Sequence, residues 1–346
     1  MVNTPKTRRL FAGIAALAGV SLLAACSAGG GEPAPQDPDA SAREVTLMLN
    51  WTPNAHHAGI YYAAENGLYE AAGIDLTIIE PSADVGADVA VAEGQVEFGI
   101  SQAESLLPAR AEGMGVQSIA ALLPVNDSAL MGLEGSGLTA DPGSLDGLRY
   151  GGYGGALETE IISELVSCGG GDPASVEFID IGNVDYLAGL EQERFDVTWV
   201  FGGWDALRAQ TERDDVTTIQ FGDHLDCIPN WYTPIIIGNE TALEGDPDLA
   251  RDFLAATGEG YAAVIADPEA GAEALLAGAP ELEPELVRNA VAYYAPLFTA
   301  DGSAEGFGVQ DEAVWTEFTE FLVQAGLLED ASPVEGAWSN EFLPQG

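Results

Sequence analysis

Trp51, Asn54, His56 and His57 sit close together in "LNWTPNAHHAGIYYAAENGLY" (49–69), where a β-rich stretch gives way to a helical one. An indole, an amide and two imidazoles on a loop leaving a strand offer a flat stacking face and neutral hydrogen-bonding groups, the chemistry that holds a small planar ligand. Thr52, Pro53 and Asn54 are turn formers and would keep the Trp51 ring at an element end, although an indole can also serve as a core anchor. Paired histidines suggest a metal, but no cysteine, second histidine pair or carboxylate falls at ligand spacing on the same helix, and His224 is the only other histidine. A helix-start imidazole that bonds a ligand or caps the helix accounts for the pair better.

Three further stretches place chemistry at strand ends. In "RYGGYGGALETEII" (149–162) a Gly-rich turn leads into a helix, the geometry that binds phosphate at a helix N-terminus. It lacks the Gly-Lys-Ser/Thr ending of a P-loop, and Glu158 in or near the first turn opposes a bound anion. Glu158 can act as a favourable charge on the helix dipole, or as an acceptor for the N–H edge of a ligand with an amino group beside a ring nitrogen. "WVFGGWDALRAQ" (199–210) presents Trp204 and Asp205 at a helix start, and "CIPNWYTPIII" (227–237) adds Trp231 and Tyr232. Aromatics at three strand ends point to a stacking site. There is no Gly-x-Ser-x-Gly elbow and no cysteine with an evident histidine partner, so no catalytic set stands out.

The elements around these residues read as α/β. "EVTLML" (44–49), "DLTII" (75–79), "EFGI" (97–100) and "VQSIAALL" (116–123) have strand character, with helical spacing at 57–66, 84–93 and 102–112 between them. The alternation implies βαβ units and a parallel sheet. Glycine and turn residues thicken after residue 132, so 133–141 is expected to cross into a second α/β lobe with strands at 176–181, 196–201 and 216–221. Beyond "WYTPIIIGN" (231–239) helices dominate, one opened by Asp246 as cap and Pro247 at its first position, others at 268–277, 283–297 and 311–325. The expected lobes are 44–135 plus 236–346 and 136–235, joined by two crossing segments and hinged around a cleft.

Composition narrows the partners. Lys6, Arg8 and Arg9 precede an apolar run from Leu10 to Leu23, the pattern of a secretory signal over 1–25. Leu23-Ala24-Ala25-Cys26 resembles a bacterial lipobox, with Cys26 as the lipidated residue, and 26–43 reads as a flexible Gly/Pro/Asp tether. The chain has 11 basic and 56 acidic residues; removal of 1–25 leaves 8 − 56 = −48, with no lysine. Such acidity argues against nucleic acid and makes anionic ligands unwelcome without a local arginine cluster, and it is equally a solubility trait. No arginine reads as part of the strand-end motifs, although Arg149 is near. Cys168 and Cys227 can form a disulfide or stay as two buried thiols, and the sequence leaves both open.

"LNWTPNAHHAGIYYAAENGLYEAAGIDL", "FGISQAESLLPARAEG", "GGYGGALETEI", "DVTWVFGGWDA" and "WYTPIIIGNE" together resemble the solute-binding lipoproteins for thiamine pyrimidine precursors, within the wider family that includes the thiamine pyrimidine synthase. The resemblance implies a type II periplasmic-binding fold closing on an aminopyrimidine (formylaminopyrimidine or hydroxymethylpyrimidine) and delivering it to an ABC permease and ATPase. It implies a monomer outside the cytoplasm, anchored to the cell membrane through its lipid, with no cofactor and no metal. By motif position Trp51, Asn54, His57, Gln102, Tyr153, Glu158, Trp204 and Tyr232 would line the cleft. The synthase alternative is set aside because Ser101 and Ser105 lie where the synthases carry the lysine that holds pyridoxal phosphate and a histidine, and no lysine remains to form a Schiff base. A binder of sulfonate, nitrate or bicarbonate is the nearer alternative.

Overall fold

The strands form two five-stranded mixed sheets in a computed structural model that describes residues 42–82, 85–182, 184–303 and 305–344. The signal, Cys26 and nearly all of the tether lie outside the described residues; Arg43, expected in the tether, instead opens the first strand. The first sheet contains β1 (Arg43–Met48), β2 (Ile74–Ile79), β3 (Phe98–Ser101) and β4 (Val116–Ala121), and the second β5 (Ser128–Leu133), β6 (Arg149–Gly152), β7 (Glu177–Asp180), β8 (Val197–Phe201) and β9 (Val216–Gln220). The chain then returns to the first sheet as β10 (Ile235–Asn239).

The sheet orders are β2-β1-β3-β10-β4 and β7-β6-β8-β5-β9. In each, the strand that arrives from the other lobe runs antiparallel to its two neighbours: β10 against β3 and β4, and β5 against β8 and β9. The all-parallel expectation is corrected at those two strands. The first crossing is corrected as well, because β5 already belongs to the second sheet and the chain changes lobe through 122–127. The Gly-rich stretch after Leu133 marks the exit of β5. The run "SALMGL" is buried over most of its length and shows no alternation, so its sequence carried no signal of which sheet it joins. The crossings brace each other: Asn126 N–H donates to Asn230 Oδ1 at 3.0 Å, and Asn230 Nδ2 donates to the Pro124 carbonyl at 2.9 Å. Cys168 and Cys227 form a disulfide, Cα atoms 5.6 Å apart, tying the helix Ala156–Cys168 to the return crossing.

Helices cover the first sheet, and their caps follow the sequence. Asp246 accepts the Leu249 N–H and Pro247 begins the helix Pro247–Ala266, as expected from its sequence. This helix crosses Ala58–Glu65 so closely that a Cβ on Gly260 would meet the Gly59 carbonyl oxygen at 2.1 Å. Tyr261 next to it is fully buried, stacked 4.0 Å from Phe307, and donates its hydroxyl to the His56 carbonyl at 2.6 Å. The glycine contact thereby seats the helix that holds the histidine turn. No helix among the described residues is long and apolar enough to cross a membrane.

Candidate functional site

The loop after β1 is held by its own polar groups. Asn54 caps the 3-10 turn Ala55–His57, its Oδ1 accepting the His56 N–H at 3.0 Å, while the Asn54 N–H donates to His57 Nδ1 at 3.3 Å. A ring nitrogen that accepts from a backbone N–H is unprotonated, so His57 carries its proton on Nε2 and donates to Asn50 Oδ1 at 3.1 Å. Burial pushes the His57 imidazole down to about 3, which keeps it neutral. His57 is 0% exposed and does not reach the cleft, which corrects the expectation for it. It fixes Asn50, and Asn50 is what lines the cavity.

His56 takes the wall position expected of its neighbour. Its ring lies 5.1 Å from Phe201 of the second lobe and 4.4 Å from Tyr294, and its Nε2 has no hydrogen-bond partner among the described residues. Burial, then the adjacent His57, pushes its imidazole down to about 3.

On the second lobe the chain leaving β8 winds into a π-helical turn, Gly202–Ala206, anchored by Asp127 of the first crossing. The Asp127 carboxylate accepts Gly203 N–H at 2.8 Å, Tyr293 O–H at 2.8 Å and Tyr294 O–H at 2.6 Å. A side chain at Gly203 would run into the Tyr293 ring at 2.4 Å, so the close approach requires glycine here. This anchorage points Trp204, Asp205 and Arg208 toward the cleft they line. Burial pushes the Asp205 carboxyl up to about 6, with Arg208 pulling it down and Asp185 adding to the rise. Arg208 donates to Asp185 at 2.8 Å, and its Nε has no partner among the described residues.

Between the lobes these groups enclose a cavity of about 340 Å³. Trp51, Asn54, Gln102, Tyr153 and Trp204 line it, five of the expected residues brought together. Trp51 is 55% exposed and Tyr153 51%, so neither ring is a core anchor. Asn50, Tyr186, Phe201 and Arg208, which were not expected, also line it, as do His56 and Asp205, which the sequence singled out but the resemblance did not place in the cleft. Tyr186 closes on Tyr153 through a 2.7 Å hydroxyl contact. Arg208 corrects the expectation that no arginine enters the site. Its position in "GWDALRA", one helical turn after Trp204, was the available signal.

The expectation for Trp231 and Tyr232 fails on geometry, and that for Glu158 is met in position only. Tyr232 is 3% exposed, its ring 5.8 Å from Trp315 and its hydroxyl accepting the Asp311 N–H at 2.8 Å, so it packs behind the sheet and away from the cleft. Trp231 is likewise internal, stacked 5.2 Å from Phe318. Glu158 is half-buried and lines the interlobe space next to Tyr153, but its carboxylate is already engaged, accepting from Tyr153 N–H at 2.9 Å, Gly155 N–H at 3.0 Å and Tyr150 O–H at 3.0 Å. With Tyr153 N–H also 3.2 Å from the other oxygen, the acceptor positions are occupied by its own turn. Arg149 lies outside the cleft and pairs with Asp196 at 2.6 Å.

A family model described as NMT1/THI5 like matches residues 54–271. The chain is 26% identical over 302 residues to a 4-amino-5-hydroxymethyl-2-methylpyrimidine phosphate synthase of Legionella pneumophila, covering 87% of this chain and 92% of that one. It is 25% identical over 309 residues to the formylaminopyrimidine-binding protein of Halalkalibacterium halodurans, covering 87% and 91%. Among solved structures, the periplasmic aliphatic sulphonate binding protein SsuA of Escherichia coli superposes with a TM-score of 0.66 at 13% identity, over 88% of this chain and 95% of that one. The architecture is the periplasmic binding protein fold.

Proposed function

The chain belongs to the NMT1/THI5-like family, and from that premise we propose that it is the extracytoplasmic solute-binding component of an ABC importer, holding a flat aminopyrimidine between its lobes. The observation that supports this reading is the cavity wall itself: aromatic faces from both lobes, together with His56 and Arg208, whose buried Nε2 and Nε have no partner among the described residues. A planar heterocycle bearing both donors and acceptors meets that set, at about 1–3 kcal/mol for each stacked ring. Asp205, not Glu158, is the acid available to its N–H edge.

The family includes both binding proteins and synthases, and binding is the reading favoured here. Lys6 is the chain's one lysine and precedes the described body, so no lysine is available in the cleft for a Schiff base. The anchor at Cys26, the signal over 1–25 and the monomeric state belong to the same proposal and rest on sequence alone.

An oxyanion ligand is the second reading, because Arg208 lines the cleft and its Nε has no hydrogen-bond partner among the described residues. Asp185 on the same guanidinium and Asp205 nearby weigh against it. Titration calorimetry with formylaminopyrimidine, hydroxymethylpyrimidine and taurine separates the readings. The proposal expects the pyrimidines to bind and Asp205→Asn to weaken them by about 1.5–3 kcal/mol; taurine binding with no pyrimidine binding would reverse the assignment.

A further inference from the structure

The cavity between the lobes does not end at the tyrosine pair. Tyr153, Tyr186, Phe201 and Asp205 also line a second compartment of about 460 Å³, so the Tyr153–Tyr186 hydroxyl contact stands as a partition between two adjoining spaces. Each compartment is already in the range of about 300–1,000 Å³ that encloses drug-sized ligands, more than one pyrimidine ring requires.

The two compartments differ in charge. Arg208 and His56 line the first. The second has carboxyls from Glu104, Glu158 and Asp205, aromatic walls from Tyr153, Tyr186, Trp199 and Phe201, and no basic residue among those that line it. Glu158 is engaged with its own turn, but Glu104 is not so satisfied. Trp231 and Thr233 point their polar groups at the Glu104 carboxyl and pull its pKa down against the effect of burial. Yet Glu104 Oε2, Trp231 Nε1 and Thr233 Oγ1 all lie out of solvent with no hydrogen-bond partner among the described residues. A desolvated carboxyl whose neighbours fall short of good hydrogen-bond geometry is a costly feature that an arriving ligand can relieve. Burial, with Asp88 adding to it, pushes Glu104 up to about 8, and an opposite charge nearby would reverse that shift.

We propose that the second compartment binds a flat organic cation joined to the aminopyrimidine, so that the cleft takes a two-ring ligand with its neutral ring against Trp51 and its cationic ring between Tyr153, Tyr186 and Trp199, facing Glu104. Aromatic faces and carboxylates together are the surroundings that favour a cation over its neutral isostere. The proposal rests on the aminopyrimidine reading of the first compartment.

Titration calorimetry of the purified full chain with three probes tests it: hydroxymethylpyrimidine, thiamine, which joins that pyrimidine to a cationic thiazolium, and 3-deazathiamine, its neutral thiophene counterpart. Thiamine is expected to bind about tenfold or more tighter than either of the others. Glu104→Gln, checked for folding by circular dichroism, should cut the ratio of thiamine to hydroxymethylpyrimidine affinity about tenfold. The three-probe series in the unsubstituted protein carries the test even if that variant does not fold. Hydroxymethylpyrimidine binding with thiamine no tighter than 3-deazathiamine would overturn the proposal and leave the aminopyrimidine reading standing, whereas no pyrimidine binding at all would overturn both.

Discussion

Replacing Glu158 separates a ligand-reading acid from a turn-holding one. In Glu158→Gln the amide oxygen can keep the Gly155 and Tyr153 N–H groups now bound to Oε2, at 3.0 and 2.9 Å. The amide nitrogen then takes the place of Oε1 and donates to the Tyr150 hydroxyl, which rotates to accept. What disappears is the charge assistance, the difference between about 1.5–3 kcal/mol for a bond to a charged group and about 0.5–1.5 for a neutral one, so about 1 kcal/mol of stability. Glu158→Ala also removes the acceptor of the Gly155 N–H at the start of the helix Ala156–Cys168, adding about 0.5–2 kcal/mol. Urea denaturation of the ligand-free variants measures both, and the expected order is wild type, then Gln, then Ala. Calorimetry on Glu158→Gln should show pyrimidine affinity changed by less than about 1 kcal/mol. Unaltered stability in Glu158→Gln together with an affinity loss of about 1.5–3 kcal/mol would refute the reasoning and return the carboxylate to the ligand.

Trp51→Ala should leave the melting temperature nearly unchanged, because the ring is 55% exposed, and lower pyrimidine affinity by about 1–3 kcal/mol in the same calorimetry. Gly260→Ala should destabilise by about 1–3 kcal/mol in urea, since its new methyl would lie 2.1 Å from the Gly59 carbonyl oxygen and neither helix backbone can yield without moving the other. His57 is neutral in the fold down to about pH 3 but takes a proton near 6.5 when unfolded, so its contribution is complete above pH 6.5 and is lost as pH falls toward 3. His57→Gln should therefore lose less stability than wild type between pH 6.5 and 4.5, by about 2–3 kcal/mol, in denaturation series at stepped pH.

The legible parts were those where one residue type has one physical use. Period-two and period-3.6 patterning placed β1, β2, β3 and β4 within a residue or two of their observed ends, and Asp246-Pro247 marked a helix start because few other residues cap and preset φ. Trp51 and Trp204 were legible because an aromatic beside turn formers at a strand end has few buried places to go. Trp231-Tyr232 carried the same signature, yet Trp315 and Phe318 from the helix Glu312–Gln324, about eighty residues later, bury them. Nothing local announces such a partner.

The sequence by itself determined the α/β class, the acidic charge balance, the absence of any lysine after Lys6 and which loops carry aromatics, because these follow from composition and local periodicity. Only the tertiary structure decided which of two adjacent histidines faces the cleft. It also decided that Glu158 is saturated by its own turn while Asp205 stays available, and that Glu104 is left facing a second compartment. Neighbouring residues in a turn share a sequence context but point in different directions. Whether a polar atom is free depends on hydrogen-bonding partners, such as the Tyr150 and Tyr294 hydroxyls or the Asp127 carboxylate, brought from positions that no local pattern encodes.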